Sequence, residues 1–141
     1  MLTKIITGLW LGDHDDSLDG PLLKKAGITT ILNVAQGITH KKQYEGIKYV
    51  KIGLVDDSIN DYRVIALILK VMNSLINHGE KVLIHCALGI SRSPFIVAMY
   101  LAKNMDQDIN NAYKLLKEKY PHADEETPLK FTKGLKKIYD E

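Results

Sequence analysis

The spacing of apolar residues along the chain switches repeatedly between the period of a strand and that of a helix. Residues 5–11 read as a strand. Residues 21–26 read as a short helix that opens on Pro21 and stops at Gly27, a residue suited to the turn just past a helix end. The β-branched run ITTILNV at 28–34 has the character of a buried strand. Residues 36–46 are polar, include Gly37 and Gly46, and read as a loop; 47–52 alternates weakly and reads as another strand. Val64, Ile65, Ile68, Val71, Met72, Leu75 and Ile76 then recur on one face of a long helix. Asp61 is placed to cap its start, and His78-Gly79 marks its end. KVLIH at 81–85 is a short apolar strand. PFIVAMYLAK at 94–103 is apolar almost all round, so this helix is expected at the centre of the fold. Ile109, Ala112, Tyr113, Leu116 and Tyr120 mark an amphipathic helix ending at Pro121. Residues 128–139 read as a last, basic helix, with Lys130, Lys133, Lys136 and Lys137 on a solvated face.

Strands alternating with helices imply an α/β fold: a central, mostly parallel sheet flanked by helices. A length of 141 residues, with no repeat and no linker, fits one domain spanning 1–141. The composition, 45% hydrophobic and 26% charged, is that of an ordinary globular chain. A net charge of +2 gives no case for a nucleic-acid binder and is compatible with an anionic substrate. No apolar stretch reaches the length of a membrane span, and the N-terminal apolar run is too short for a signal peptide. Cys86 is the only cysteine, so an internal disulfide and a cysteine-rich metal site are both ruled out. Together these features lead us to expect a cytoplasmic protein.

In open α/β sheets, ligands sit beyond the carboxyl ends of the central strands. The segment at that place after KVLIH reads His85-Cys86-Ala87-Leu88-Gly89-Ile90-Ser91-Arg92-Ser93-Pro94. Pro94 suits the first position of the following helix, with Ser93 as its cap. A short loop running into a helix N-terminus aims backbone N–H groups at an anion, with the helix dipole behind them. Gly89 lets the loop turn without an obstructing side chain. Arg92 supplies a planar fork matched to phosphate oxygens. The field that holds a phosphate dianion also favours an ionised thiolate, which makes Cys86 a candidate nucleophile. A lone cysteine at a strand end is more often a small buried hydrophobe, but that leaves His85, Gly89, Arg92 and Ser93 unexplained at these spacings.

The string HCALGISRS contains the CX5R signature and closely resembles the HCxxGxSRS motif of the dual-specificity branch of the protein tyrosine phosphatase superfamily. The resemblance extends to IITGLWLG at 5–12, GITTILNVA at 27–35 and IKYVKIGLVDDS at 47–58. Near the C-terminus, Lys119-Tyr120-Pro121 and Thr127-Pro128-Leu129 stand where the family often has Arg-Pro and Pro-Asn. The resemblance implies a protein tyrosine phosphatase-like fold and a phosphatase acting on phosphotyrosine, phosphoserine and phosphothreonine in proteins. Cys86 would form a phosphocysteine, and Arg92 with the amides of Ala87, Leu88, Gly89, Ile90, Ser91 and Arg92 would bind the phosphate. Asp57 would be general acid and then base, favoured over Asp56 by its place after the 47–52 strand. Ser93 would stabilise the leaving thiolate, and His85 would orient the loop. No metal or cofactor is needed by this chemistry, and a monomer acting on phosphorylated proteins, without nucleic acid or membrane, is the default.

Ala87, Leu88 and Ile90 are uncharged, whereas phosphoinositide phosphatases of the superfamily tend to place lysines here. A phosphoinositide or RNA 5'-phosphatase, and a catalytically dead phosphoprotein-binding module, are the alternatives. The run Asp13-His14-Asp15-Asp16 could suggest a metal but reads as a solvated turn in a loop, and His40-Lys41-Lys42 reads as a solvated charge run near the pocket rim.

Overall fold

The computed structural model describes residues 1–55 and 60–124. Asp56, Asp57 and the expected 128–139 helix with its lysines lie outside the described residues. The elements run β1 (Thr3–Ile6), β2 (Leu9–Gly12), α1 (His14–Leu18), α2 (Gly20–Ala26), β3 (Thr30–Ala35), β4 (Lys48–Leu54), α3 (Tyr62–Asn77), β5 (Val82–His85), α4 (Arg92–Met105) and α5 (Ile109–Lys119). The strands form one sheet in the order β1-β2-β5-β3-β4. β1 pairs antiparallel with β2, and the remaining pairings are parallel. The fold is thus the expected α/β arrangement with a largely parallel sheet.

Alternation along the central strands feeds two cores. Leu9 and Leu11 of β2, Leu32 and Val34 of β3, and Val82 and Ile84 of β5 face the larger core. Trp10, Ile31 and Leu83 of the same strands face a smaller one with Leu23 and Ile28. α3, α4 and α5 cover the larger core, and α2 covers the smaller. α4 is buried from Arg92 to Ala102, as its apolar run predicts. α3 is capped by Asp61, whose carboxylate accepts from the Arg63 N–H. Gly27 ends α2 at φ 77°, as expected of a glycine in that place.

Three expectations are corrected. The 5–11 strand is two strands, because Gly8 at φ 86° closes a hairpin that pairs Lys4 with Trp10 and Ile6 with Leu9. An apolar run gives no sign of such a turn except the glycine itself. The acidic run 13–16 is not an open turn: it begins α1 through a capping box, with Asp13 and Asp16 each accepting the other's backbone N–H. Finally, α4 starts at Arg92, not Pro94, and its cap position is Ser91. Pro94 fits the third helical position because its missing N–H would have had no helical partner there either.

Candidate active site

β2, β5 and β3 are parallel, so their carboxyl ends meet at one edge of the sheet, where Gly12 and Asn33 both stand beside His85. β5 then delivers Cys86, β2 leads into α1, and β3 leads into the loop carrying His40. Asn33 is buried and ties this loop down, its amide donating to the Ile38 carbonyl at 2.7 Å and accepting from the Ala35 N–H at 2.9 Å.

The loop from Ala87 to Ser91 is held from outside by its carbonyls. His14 N–H donates to Ala87 O at 3.1 Å, and Asp124 N–H donates to Ile90 O at 2.8 Å. Its N–H groups are differently disposed. Among the described residues, those of Ala87, Leu88, Gly89, Ile90 and Ser91 donate to no protein acceptor. Amides left unpaired at a helix start form an anion-binding concavity. Gly89 has φ 71°, and a Cβ built there would lie 2.6 Å from Tyr120 Oη and 3.1 Å from the Gly12 carbonyl. The turn therefore requires glycine twice over, for its backbone angle and for the space.

Cys86 is 2% exposed at the floor of this loop, and the Ser93 hydroxyl, fully buried, donates to Cys86 Sγ at 3.2 Å. Arg92 opens α4 and is buried, with Nη1 donating to the Leu54 carbonyl at the end of β4 at 3.0 Å. That bond anchors the guanidinium beside the loop. Ser93 is thus aimed at sulfur instead of capping the helix.

His85 is fully buried. Its Nδ1 lies 2.7 Å from the Cys86 carbonyl, which can only accept, so Nδ1 carries the proton. Nε2 lies 2.8 Å from Nε2 of His40. Burial drives the His85 imidazole down from 6.5 to about 4, an effect that the bond to the Cys86 carbonyl offsets only in part and that His40 and His14 reinforce. His40 is lowered too, by burial and then by His14. Reading the 40–42 run as simply solvated is therefore corrected for His40, which is half-buried against His85 and Tyr49. Sequence reasoning also passed over Tyr120, 1% exposed, whose hydroxyl has no hydrogen-bond partner among the described residues. Burial raises its pKa well above the usual phenol range. Only the tertiary approach of α5's end to Gly89 reveals it.

A cavity of about 710 Å³ lies elsewhere, lined by Gly20, Pro21, Lys24, Tyr44 and Ile47 among others. It holds none of these reactive groups. The chemistry points instead to the loop defined by the Ala87 to Ser91 amides.

The family described as dual specificity phosphatase, catalytic domain, matches residues 9–138. Human dual specificity protein phosphatase 16 is 31% identical over 126 residues, which cover 84% of this chain and 18% of that protein. Human dual specificity protein phosphatase 22 is 34% identical over 101 residues, covering 71% of this chain and 54% of that one. The chain therefore spans well under two thirds of either relative. The crystal structure of human DUSP28 superposes with a TM-score of 0.81 at 23% identity, covering 99% of this chain and 93% of that one, a likeness of fold. No helix among the described residues is long and apolar enough to cross a membrane. With its loop, its buried cysteine and a match over most of its length, the chain belongs to the dual specificity phosphatase catalytic-domain family.

Proposed function

We propose that residues 1–141 form one catalytic domain that hydrolyses phosphotyrosine, phosphoserine and phosphothreonine in proteins through a phosphocysteine at Cys86. The observation that carries this reading is the set of five amides, Ala87 to Ser91, unpaired among the described residues and set around a buried cysteine. The Cys86 thiolate attacks phosphorus, forming the S–P bond as the ester P–O bond breaks. The amides of the loop and the Arg92 guanidinium stabilise the equatorial oxygens as charge builds on them. By family resemblance, Asp57 gives its proton to the leaving oxygen. In the second step water attacks phosphorus, Asp57 takes its proton, and the S–P bond breaks to return the thiolate. The Ser93 hydroxyl, already directed at Sγ, supports that leaving thiolate. His85, held neutral by burial, is no proton donor at neutral pH and acts by fixing the Cys86 carbonyl.

The substrate class rests on the named relatives and on the uncharged side chains of Ala87, Leu88 and Ile90, which offer no extra cation for a polyphosphorylated headgroup. The test is phosphate release from matched phosphotyrosine, phosphoserine and phosphothreonine peptides in EDTA, with wild type and Cys86→Ser side by side. Release by wild type that disappears in the variant is expected. Equal release by both would overturn the cysteine mechanism, and no release from any peptide would overturn the protein substrate class.

A further inference from the structure

Three histidines from separate segments converge beside the phosphate loop: His14 at the start of α1, His40 in the β3–β4 loop and His85 at the end of β5. One ring nitrogen from each lies within 4.8 Å of the others. Their ring centroids are 5.0 to 5.6 Å apart. Nothing in the phosphatase chemistry calls for His14 or His40.

As a hydrogen-bond network the group is incomplete. Nδ1 of His85 donates to the Cys86 carbonyl, so Nε2 of the neutral ring is a bare lone pair. His40 shares its own Nε2 with that lone pair, which leaves His40 Nδ1 buried with no partner among the described residues. The nearby carboxylates are committed elsewhere: Asp13 and Asp16 accept each other's backbone N–H, and Asp16 also pairs with the N-terminal ammonium at 3.1 Å. Among the described residues, His14 Nδ1 has only a long 3.4 Å contact with Ser17 Oγ.

As a ligand set the group is coherent. Neutral imidazole is the preferred donor for late first-row divalent ions. A ring that ligates through one nitrogen normally gives its other N–H to a carbonyl or carboxylate, which is the arrangement of His85 on Cys86. Tetrahedral Zn²⁺, with Zn–N of about 2.0–2.1 Å, holds its nitrogens about 3.3 Å apart. The 2.8 Å pair needs to open slightly and the third ring to close in, which side-chain rotation supplies.

We propose that His14, His40 and His85 form a Zn²⁺ site with three imidazole ligands and one open position for water or an anion. Binding would tie the ends of β2, β3 and β5 together and, through the His85–Cys86 bond, fix the start of the phosphate loop.

The test uses the Cys86→Ser chain, so that a thiolate cannot contribute a ligand. Co²⁺ is titrated by visible absorption, and Zn²⁺ competes against a chromophoric chelator. One ion per chain is expected, with the intense absorption of a four-coordinate centre and no sulfur-to-cobalt band. His14→Gln and His40→Gln should each weaken Zn²⁺ by about tenfold or more, since even a second-shell partner is worth about 10–100-fold. His78→Gln and His122→Gln should leave it unchanged. Circular dichroism in EDTA checks that the variants fold. Independently of any histidine substitution, Zn²⁺ should shift the imidazole NMR signals of His14, His40 and His85 together. No saturable binding, affinity unmoved by His14→Gln and His40→Gln, or shifts confined to other histidines would overturn the site. Because peptide hydrolysis is assayed in EDTA, failure here leaves the phosphatase reading standing, and the converse also holds.

Discussion

Gly89→Ala tests the geometry of the phosphate loop directly. At φ 71° a residue with a Cβ is strained by about 1–2 kcal/mol. The added methyl would also sit 2.6 Å from Tyr120 Oη, 3.1 Å from the Gly12 carbonyl and 3.3 Å from Asp13 Cα. Two of these neighbours are backbone and Tyr120 is 1% exposed, so the site cannot relax cheaply. Overpacking of this kind costs about 1–3 kcal/mol, so the whole substitution should cost about 2–5 kcal/mol. Urea unfolding of the variant, read as a midpoint at unchanged slope, measures it. Tyr120→Phe separates the two contributions. The Tyr120 hydroxyl has no partner among the described residues, so its removal alone should be neutral or stabilising. In the Gly89→Ala background the same removal relieves the shortest contact and should recover about 1 kcal/mol or more beyond additivity. The backbone strain and the Gly12 and Asp13 contacts remain, so recovery is partial. kcat/KM should fall with Gly89→Ala because the Ala87 to Ser91 amides move with the turn. A loss below about 0.5 kcal/mol, or strict additivity with Tyr120→Phe, would refute the reasoning.

Two further predictions come from the same site. His85 titrates at about 4 in the folded chain against 6.5 unfolded, so below pH 6.5 the unfolded chain binds a proton that the folded chain refuses. Stability should fall as pH drops from 6.5 to 4, by up to about 3 kcal/mol, and this component should level off below 4. His40, shifted in the same direction, adds to the slope. A His85→Asn chain should lose most of the His85 share in urea titrations across this range; an unchanged profile would contradict the assignment. Ser93→Ala should slow breakdown of the phosphocysteine about 10–100-fold, the worth of one hydrogen bond to a charged acceptor. Stopped-flow should then show a burst of leaving group with kcat reduced more than kcat/KM. Equal falls without a burst would place Ser93 in loop structure instead.

Much of this protein was legible in the order of its residues, wherever the physics is local. The apolar periods of α3 and α5 mark their buried faces, and Gly27 marks the end of α2. The apolar run of α4 announces a central helix. The His85 to Ser93 string places a cysteine, an arginine and a hydroxyl within one turn of chain, so their convergence follows from a strand, a loop and a helix start. The interruption at Gly8 and the helix start at Arg92 were not legible, because a hairpin and an extra half turn leave the apolar pattern unchanged. Nor was the meaning of His14 and His40, which taken locally are polar residues in polar surroundings. Only the parallel pairing of β2, β5 and β3 brings the ends of three distant segments to one edge and buries those imidazoles against His85. Tyr120 likewise acquires its role when the end of α5 closes over Gly89. Sequence fixes what neighbours along the chain can do for one another, while contacts between segments, and the desolvation that shifts a titration, exist only once the sheet has assembled.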